Sequence, residues 1–209
     1  MSEINWSAAQ LAKDAAKGHD VYVAGSVGPL GITAAEAKAQ GIDRHAIFTE
    51  QIGALLDGGC RVIMLETFQD VDELLIALHA KQSLHHCPVV TSLVCDASGR
   101  LADGTTLAAA FERLRAADAD VVGINCVSPQ EALSALANHG DPGPLAAFPH
   151  AGLPTTAADR RLSYPITPAA FAALGLDLSR QGIHLVGGCC GVGPQHIAAL
   201  VAALPVPPV

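Results

Sequence analysis

Two adjacent cysteines, Cys189 and Cys190, lie in the run Gly182-Ile-His-Leu-Val-Gly-Gly-Cys-Cys-Gly191, where an apolar stretch feeds them into a glycine-framed turn. Neighbouring cysteines close a disulfide on each other only with strained geometry, whereas two thiolates at a flexible turn reach one thiophilic ion. A third sulfur is offered by Cys126, which ends a second apolar run, Asp120-Val-Val-Gly-Ile-Asn-Cys126, just before the helix start Ser128-Pro129-Gln130-Glu131. Three thiolates on a divalent zinc leave one tetrahedral position open, the pattern of a catalytic site rather than a closed structural one. The alternative is that all three are small buried apolar residues, a common fate of free cysteine. A redox pair at Cys189-Cys190 lacks the Cys-x-x-Cys spacing. Glu66 is the other chemical signal: an acid at the end of the apolar strand Cys60–Leu65 is not there for packing, and it is either a ligand-binding carboxylate or a solvated loop residue.

The elements that position these residues alternate. Residues 1–17 read as a helix, with Ser7 a cap for Ala8–Lys17, and a strand at Asp20–Ala24 runs into the glycine-rich turn Gly25–Gly31. That turn matches neither the Walker lysine pattern nor the dinucleotide fingerprint, so its expected role is close backbone approach to a ligand. After a loop come a helix at Asp43–Asp57, the Glu66 strand, and a helix to Gln82 behind a capping box at Asp70–Glu73. A strand at Pro88–Cys95, a helix at Thr106–Ala117, the Cys126 strand and a helix at Pro129–Ala137 follow. Then come a strand at Leu145–Phe148, a loop, a helix behind Thr167-Pro168, the Cys189 strand and a helix from Pro194 to about Leu204. Strand–helix alternation calls for a parallel sheet covered by helices, with ligands bound at the C-terminal ends of its strands. All the residues singled out fall at such ends. Cys60, Cys87 and Cys95 read as structural, although Cys95 also falls at a strand end and is a candidate spare thiol; His184 and His196 read as packing or capping residues.

The chain has 209 residues, half of them hydrophobic (50%) and few charged (15%), which suits one well-packed domain. A net charge of −8 without a Lys/Arg cluster argues against nucleic acid and anionic membrane surfaces as partners, and favours a small neutral or zwitterionic ligand. With no signal-like start and no apolar run of ~18 residues, a cytoplasmic location is expected, where six cysteines are thiols or ligands rather than disulfides.

Five segments together, Gly-Ser-Val-Gly-Pro-Leu-Gly (25–31), Leu-Glu-Thr-Phe (65–68), Gly-Ile-Asn-Cys (123–126), Ala-Gly-Leu-Pro (151–154) and Gly-Gly-Cys-Cys-Gly (187–191), make the sequence resemble the zinc-dependent homocysteine S-methyltransferases. These include the homocysteine-binding domains of cobalamin-dependent methionine synthase and of bifunctional enzymes fused to a methylenetetrahydrofolate reductase. The likeness runs through nearly the whole chain in the same order. It implies a TIM-type (β/α)8 barrel in which Cys126, Cys189 and Cys190 hold Zn2+ and Glu66 grips the amino group of homocysteine. Ser26, Thr67 and Asn125, from the same motifs, are then expected to bind substrate. The implied reaction is methyl transfer to the homocysteine thiol, giving methionine, from methylcobalamin, a folate or a sulfonium compound, with the donor carried on another domain in the larger enzymes.

The sequence departs from that pattern twice. The family's domain starts with a strand carrying Asp-Gly and a further strand–helix unit, and this chain begins after both. An incomplete barrel of about six parallel strands is expected over residues 1–204, followed by a Pro-rich tail at 205–209. Its open strand edges would invite self-association. A non-catalytic zinc-binding remnant, or one that needs a partner chain, is the alternative to an active methyltransferase. The second departure is His150, which stands where the family usually has asparagine. Imidazole is a better zinc ligand than an amide, so His150 is a candidate fourth ligand; hydrogen bonding to nearby backbone is the other reading.

Overall fold

The apolar runs pair side by side because none can satisfy its backbone groups alone. The structure, a computed structural model, describes residues 1–137, 143–156, 160 and 162–205; of the Pro-rich tail, all but Pro205 lies outside the described residues. The strands are β1 (Ala24–Val27), β2 (Val62–Phe68), β3 (Val89–Leu93), β4 (Val121–Asn125), β5 (Leu145–Phe148), the short pair β6 (Thr155–Thr156) and β7 (Leu162–Ser163), and β8 (Leu185–Val186). The helices are α1 (Ser2–Ala15), α2 (Ala34–Gln40), α3 (Arg44–Asp57), α4 (Val71–Gln82), α5 (Leu107–Ala116), α6 (Pro129–Leu136), α7 (Pro168–Arg180) and α8 (Pro194–Ala203). Side-chain caps from Asp43, Asp70, Thr106, Ser128 and Thr167 open α3 to α7. Such caps satisfy N–H groups that the helix itself cannot. No helix among the described residues is long and apolar enough to cross a membrane.

One six-stranded sheet runs β1-β2-β3-β4-β5-β8, and every neighbouring pair is parallel. Spatial order that follows chain order, with helices on one face, is the winding of a TIM-type barrel; six strands leave it incomplete, with β1 and β8 as its edges. The main core lies between sheet and helices, where Ile63, Leu65 and Phe68 of β2 and Val122 and Ile124 of β4 meet Leu74, Leu78, Phe111 and Leu114. A smaller cluster of Val90, Ala146 and Phe148, with Val62, Met64 and Val121 against it, fills the concave face. Side chains alternate along a strand, so Glu66 follows Val62 and Met64, and Asn125 follows Val121 and Gly123, onto that concave face. Gly123 is required there: a Cβ would stand 2.2 Å from the Ala146 carbonyl oxygen of the neighbouring strand.

Some elements differ from expectation. α1 starts at Ser2, so Ser7 lies inside the helix rather than capping it, and the Ser2 hydroxyl donates to Glu50 on α3 at 2.6 Å. β1 starts at Ala24, where its ladder with Val62 begins, so the apolar Val21 and Tyr22 precede the sheet and are exposed. The loop after Gly31 contains α2, opened by a Thr33/Glu36 capping box and closed by left-handed Gly41. The box expected at Asp70–Glu73 is only half made: Asp70 caps α4, but Glu73 turns away and accepts the Leu30 N–H at 3.0 Å. The apolar run before Cys189 pairs over Leu185–Val186 alone.

Candidate metal centre

Cys126 follows β4, and Cys189 and Cys190 lie in the turn after β8, so the exit of β5 separates them in the sheet. That exit holds both sides. The Cys126 N–H donates to the Phe148 carbonyl at 3.1 Å, the Cys189 N–H to the Pro149 carbonyl at 2.9 Å, and the Ala151 N–H to the Cys190 carbonyl at 2.8 Å. Gly191 closes the turn at φ 77°, and a Cβ there would lie 2.2 Å from the Tyr164 ring. Cys126 itself takes a left-handed φ of 59°.

The three sulfurs lie within 4.8 Å of one another, the one such group of His, Cys, Asp or Glu among the described residues. Cys126 Sγ is 3.8 Å from Cys190 Sγ, and Cys189 Sγ is 3.9 Å from Cys190 Sγ. Tetrahedral zinc with Zn–S bonds of about 2.3 Å sets its sulfurs about 3.8 Å apart, so the spacing fits that ion. As free thiols, Cys126 and Cys189 are hard to ionise. Burial, and then the neighbouring Cys189 and Cys190, push Cys126 up to about 12. Burial likewise raises Cys189. A thiophilic cation reverses that penalty, because it replaces mutual repulsion by shared attraction.

Glu66 faces the concave side near the end of β2. Its Oε1 accepts a hydrogen bond from the Ser26 hydroxyl of β1 at 2.5 Å. The β2 ladder shifts register between Leu65 and Phe68, and within that irregularity Thr67 adopts φ 67°. A β-branched residue pays of the order of 1–3 kcal/mol in that region, so something must hold it. Asn125 does: its Oδ1 accepts the Thr67 N–H at 2.8 Å and its Nδ2 donates to Thr67 Oγ1 at 2.7 Å. The same Nδ2 lies 3.8 Å from Cys189 Sγ. Asn125 is 0% exposed.

His150 is not drawn into the sulfur group. Its Nδ1 accepts the Gly152 N–H at 2.9 Å. His184 and His196 make local contacts, His184 Nδ1 with the Leu145 N–H at 3.4 Å and His196 Nδ1 with the Gly193 N–H at 3.2 Å. Cys60 and Cys95 are core residues, and burial pushes Cys95 up to about 12. The carbonyls of Phe148 and Pro149, which tether the cysteine arms, carry no side-chain signal by which the sequence could have announced them. Thr67 and Asn125 do stand in the quoted motifs, but their link to each other appears only when β2 and β4 are brought together.

Comparison with known proteins follows the same outline. The chain spans 16% of the length of the methionine synthases of Mycobacterium leprae and Mycobacterium tuberculosis, to which it is 33% and 32% identical over 89% and 88% of its own residues. Its fold superposes on the apo homocysteine methyltransferase MmuM of Escherichia coli with a TM-score of 0.79 at 26% identity, covering 97% of this chain and 74% of that one. The metallated form of MmuM gives 0.67 at 26% identity, covering 94% and 65%. The sequence profile of homocysteine S-methyltransferases matches residues 1–204, and the chain belongs to that family.

Proposed function

We propose that this chain binds homocysteine and positions its thiol to accept a methyl group, giving methionine. The observation that carries the reading is the spacing of the Cys126, Cys189 and Cys190 sulfurs, 3.8 and 3.9 Å, at a strand-end site shared with an anchored carboxylate. Cys126, Cys189 and Cys190 would hold zinc, which would activate the substrate sulfur. Zinc supplies deprotonation of a thiol whose free pKa is near 8.5, so that the sulfur is nucleophilic at neutral pH. Glu66, oriented by Ser26, takes the α-ammonium group and so fixes which way the thiol points. The chain's work is therefore orientation; the thiol proton would be released to solvent as the metal binds the sulfur. The methyl donor comes from elsewhere: the mycobacterial methionine synthases are far longer than this chain, which favours a methyl carrier on another domain, with methylcobalamin, a folate and a sulfonium compound as the candidate donors.

The test is metal analysis with single Cys→Ser variants. About one zinc per chain is expected, lost on Cys126→Ser, together with methionine formation when the zinc protein meets homocysteine and methylcobalamin, a methylfolate or a sulfonium donor in turn. Unchanged zinc content in Cys126→Ser would remove the reading. A second reading rests on the open edges at β1 and β8: a zinc-binding partial barrel that works only when another chain fills the gap. Zinc binding without turnover of any of the three donors, restored by a partner chain, would favour it.

A further inference from the structure

We propose that Asn125 is a positioning residue that ties the cysteine cluster to the Glu66 arm: one end of its amide holds Thr67 and the other donates to the sulfur of Cys189. The inference rests on the metal-site reading above and gives Asn125 a positioning role beyond the substrate contact that the resemblance implies for it. Asn125 is 0% exposed, so its amide has lost water and needs protein partners. The orientation follows from chemistry. The Thr67 N–H can only donate, so the amide oxygen must face it, as it does at 2.8 Å. Nδ2 is thereby turned toward Thr67 Oγ1 at 2.7 Å and Cys189 Sγ at 3.8 Å.

Those partners share no ladder. Thr67 lies on β2 and Cys189 beyond β8, while Asn125 sits on β4, with β3 on one side and β5 on the other. One side chain therefore bridges the concave face. Thr67 is held at φ 67°, and Glu66 is its chain neighbour, so the direction of the Glu66 carboxylate depends on this clamp. A metal-bound sulfur is a stronger acceptor than a thiol, so metal binding tightens the Asn125 bond and stiffens the Glu66 arm. Coupling of this kind is reciprocal: the amino group of the substrate and the metal each favour the other.

The test uses the full chain. Asn125→Asp keeps the shape and the oxygen for Thr67 but has no donor for sulfur. It should retain a cooperative melt yet bind zinc roughly ten- to hundredfold more weakly in chelator competition. In the wild type, zinc should tighten binding of 2-aminobutyrate, which has the ammonium group but no sulfur, by at least about fivefold; that enhancement should vanish in Asn125→Asp. A wild-type readout stands beside the variant. In protein loaded with cadmium-113, the Asn125 side-chain protons should exchange slowly and show scalar coupling to the metal through Cys189. Metal binding with freely exchanging, uncoupled Asn125 protons overturns the proposal alone, as do wild-type zinc affinity and enhancement in Asn125→Asp. A wild type that binds neither metal sinks the metal-site reading and this inference with it.

Discussion

Glu66→Gln separates substrate recognition from metal binding. The Ser26 hydroxyl donates to Glu66 Oε1 at 2.5 Å, and a glutamine oxygen can accept the same bond, so the arm keeps its shape. What disappears is the negative charge. A hydrogen bond to a charged group is worth about 1.5–3 kcal/mol, and each 1.4 kcal/mol is a factor of ten, so homocysteine should bind roughly ten- to hundredfold more weakly. Ser26→Ala leaves the charge but frees the carboxylate, and its cost should be nearer the ~0.5–1.5 kcal/mol of a neutral hydrogen bond. Calorimetric titration of the zinc-loaded proteins measures both. The control ligand is 4-mercaptobutyrate, which has the thiol and chain of homocysteine but no amino group: wild type and Glu66→Gln should bind it equally. Equal loss for both ligands, or loss of zinc from Glu66→Gln, would refute the assignment of Glu66 to the ammonium group.

Ser128 and Glu131 form a reciprocal cap at the start of α6, with the Ser128 N–H donating to the Glu131 carboxylate at 2.8 Å and the Glu131 N–H to Ser128 Oγ at 3.2 Å. Ser128→Ala should cost about 0.5–2 kcal/mol. Because Ser128 holds the Glu131 carboxyl below its ordinary value of 4.5, the cap is fully stabilising above that pH and fades as pH falls through the lowered value. Thermal melts in acid should show a flatter pH dependence in Ser128→Ala. Asparagine at 150 can accept the Gly152 N–H two residues on, as the His150 ring does, so His150→Asn should keep zinc and homocysteine affinity within about twofold, while His150→Ala loses about 1 kcal/mol of stability. Loss of zinc from His150→Asn would instead mark His150 as a ligand. The unpaired edges of β1 and β8, with Tyr22 81% and Leu185 41% exposed beside them, should drive concentration-dependent self-association in light scattering, reduced by Leu185→Lys; a monodisperse monomer would contradict this.

Signals confined to a few neighbouring residues were legible. Asp43, Ser128 and Thr167 cap the helices that their positions announced, and Cys126, Cys189 and Cys190 meet because parallel strands deliver their C-terminal ends to one rim. α2 falls in what the sequence reads as a loop: Thr33-Ala-Ala-Glu36 and Gly41 carry its cap signals, but its polar, alanine-rich body lacks the apolar stripe of a buried helix. Other features depend on partners distant in sequence. β1 starts where Val62 arrives to pair with Ala24, not where the apolar run begins. Glu73 abandons its local cap for the Leu30 N–H, 43 residues away. The left-handed Thr67 runs against the local preference of threonine, and the buried Asn125 amide holds it from a distant strand.

The two open edges and the candidate site are not independent features. Ser26, which anchors Glu66, lies on edge strand β1, and the Cys189–Cys190 turn hangs from edge strand β8, whose two residues pair with β5 alone. The interior strands supply the remaining parts: Glu66 and Thr67 from β2, Asn125 and Cys126 at the end of β4, and tethering carbonyls beyond β5. A side chain on β4 spans what the sheet leaves apart, reaching Thr67 on one side and Cys189 on the other. Whatever occupies the gap between β1 and β8 would flank both the Ser26–Glu66 pair and the cysteine turn. Zinc retention and homocysteine affinity should therefore rise together when the gap is filled, since the same backbone edges steady both halves of the site.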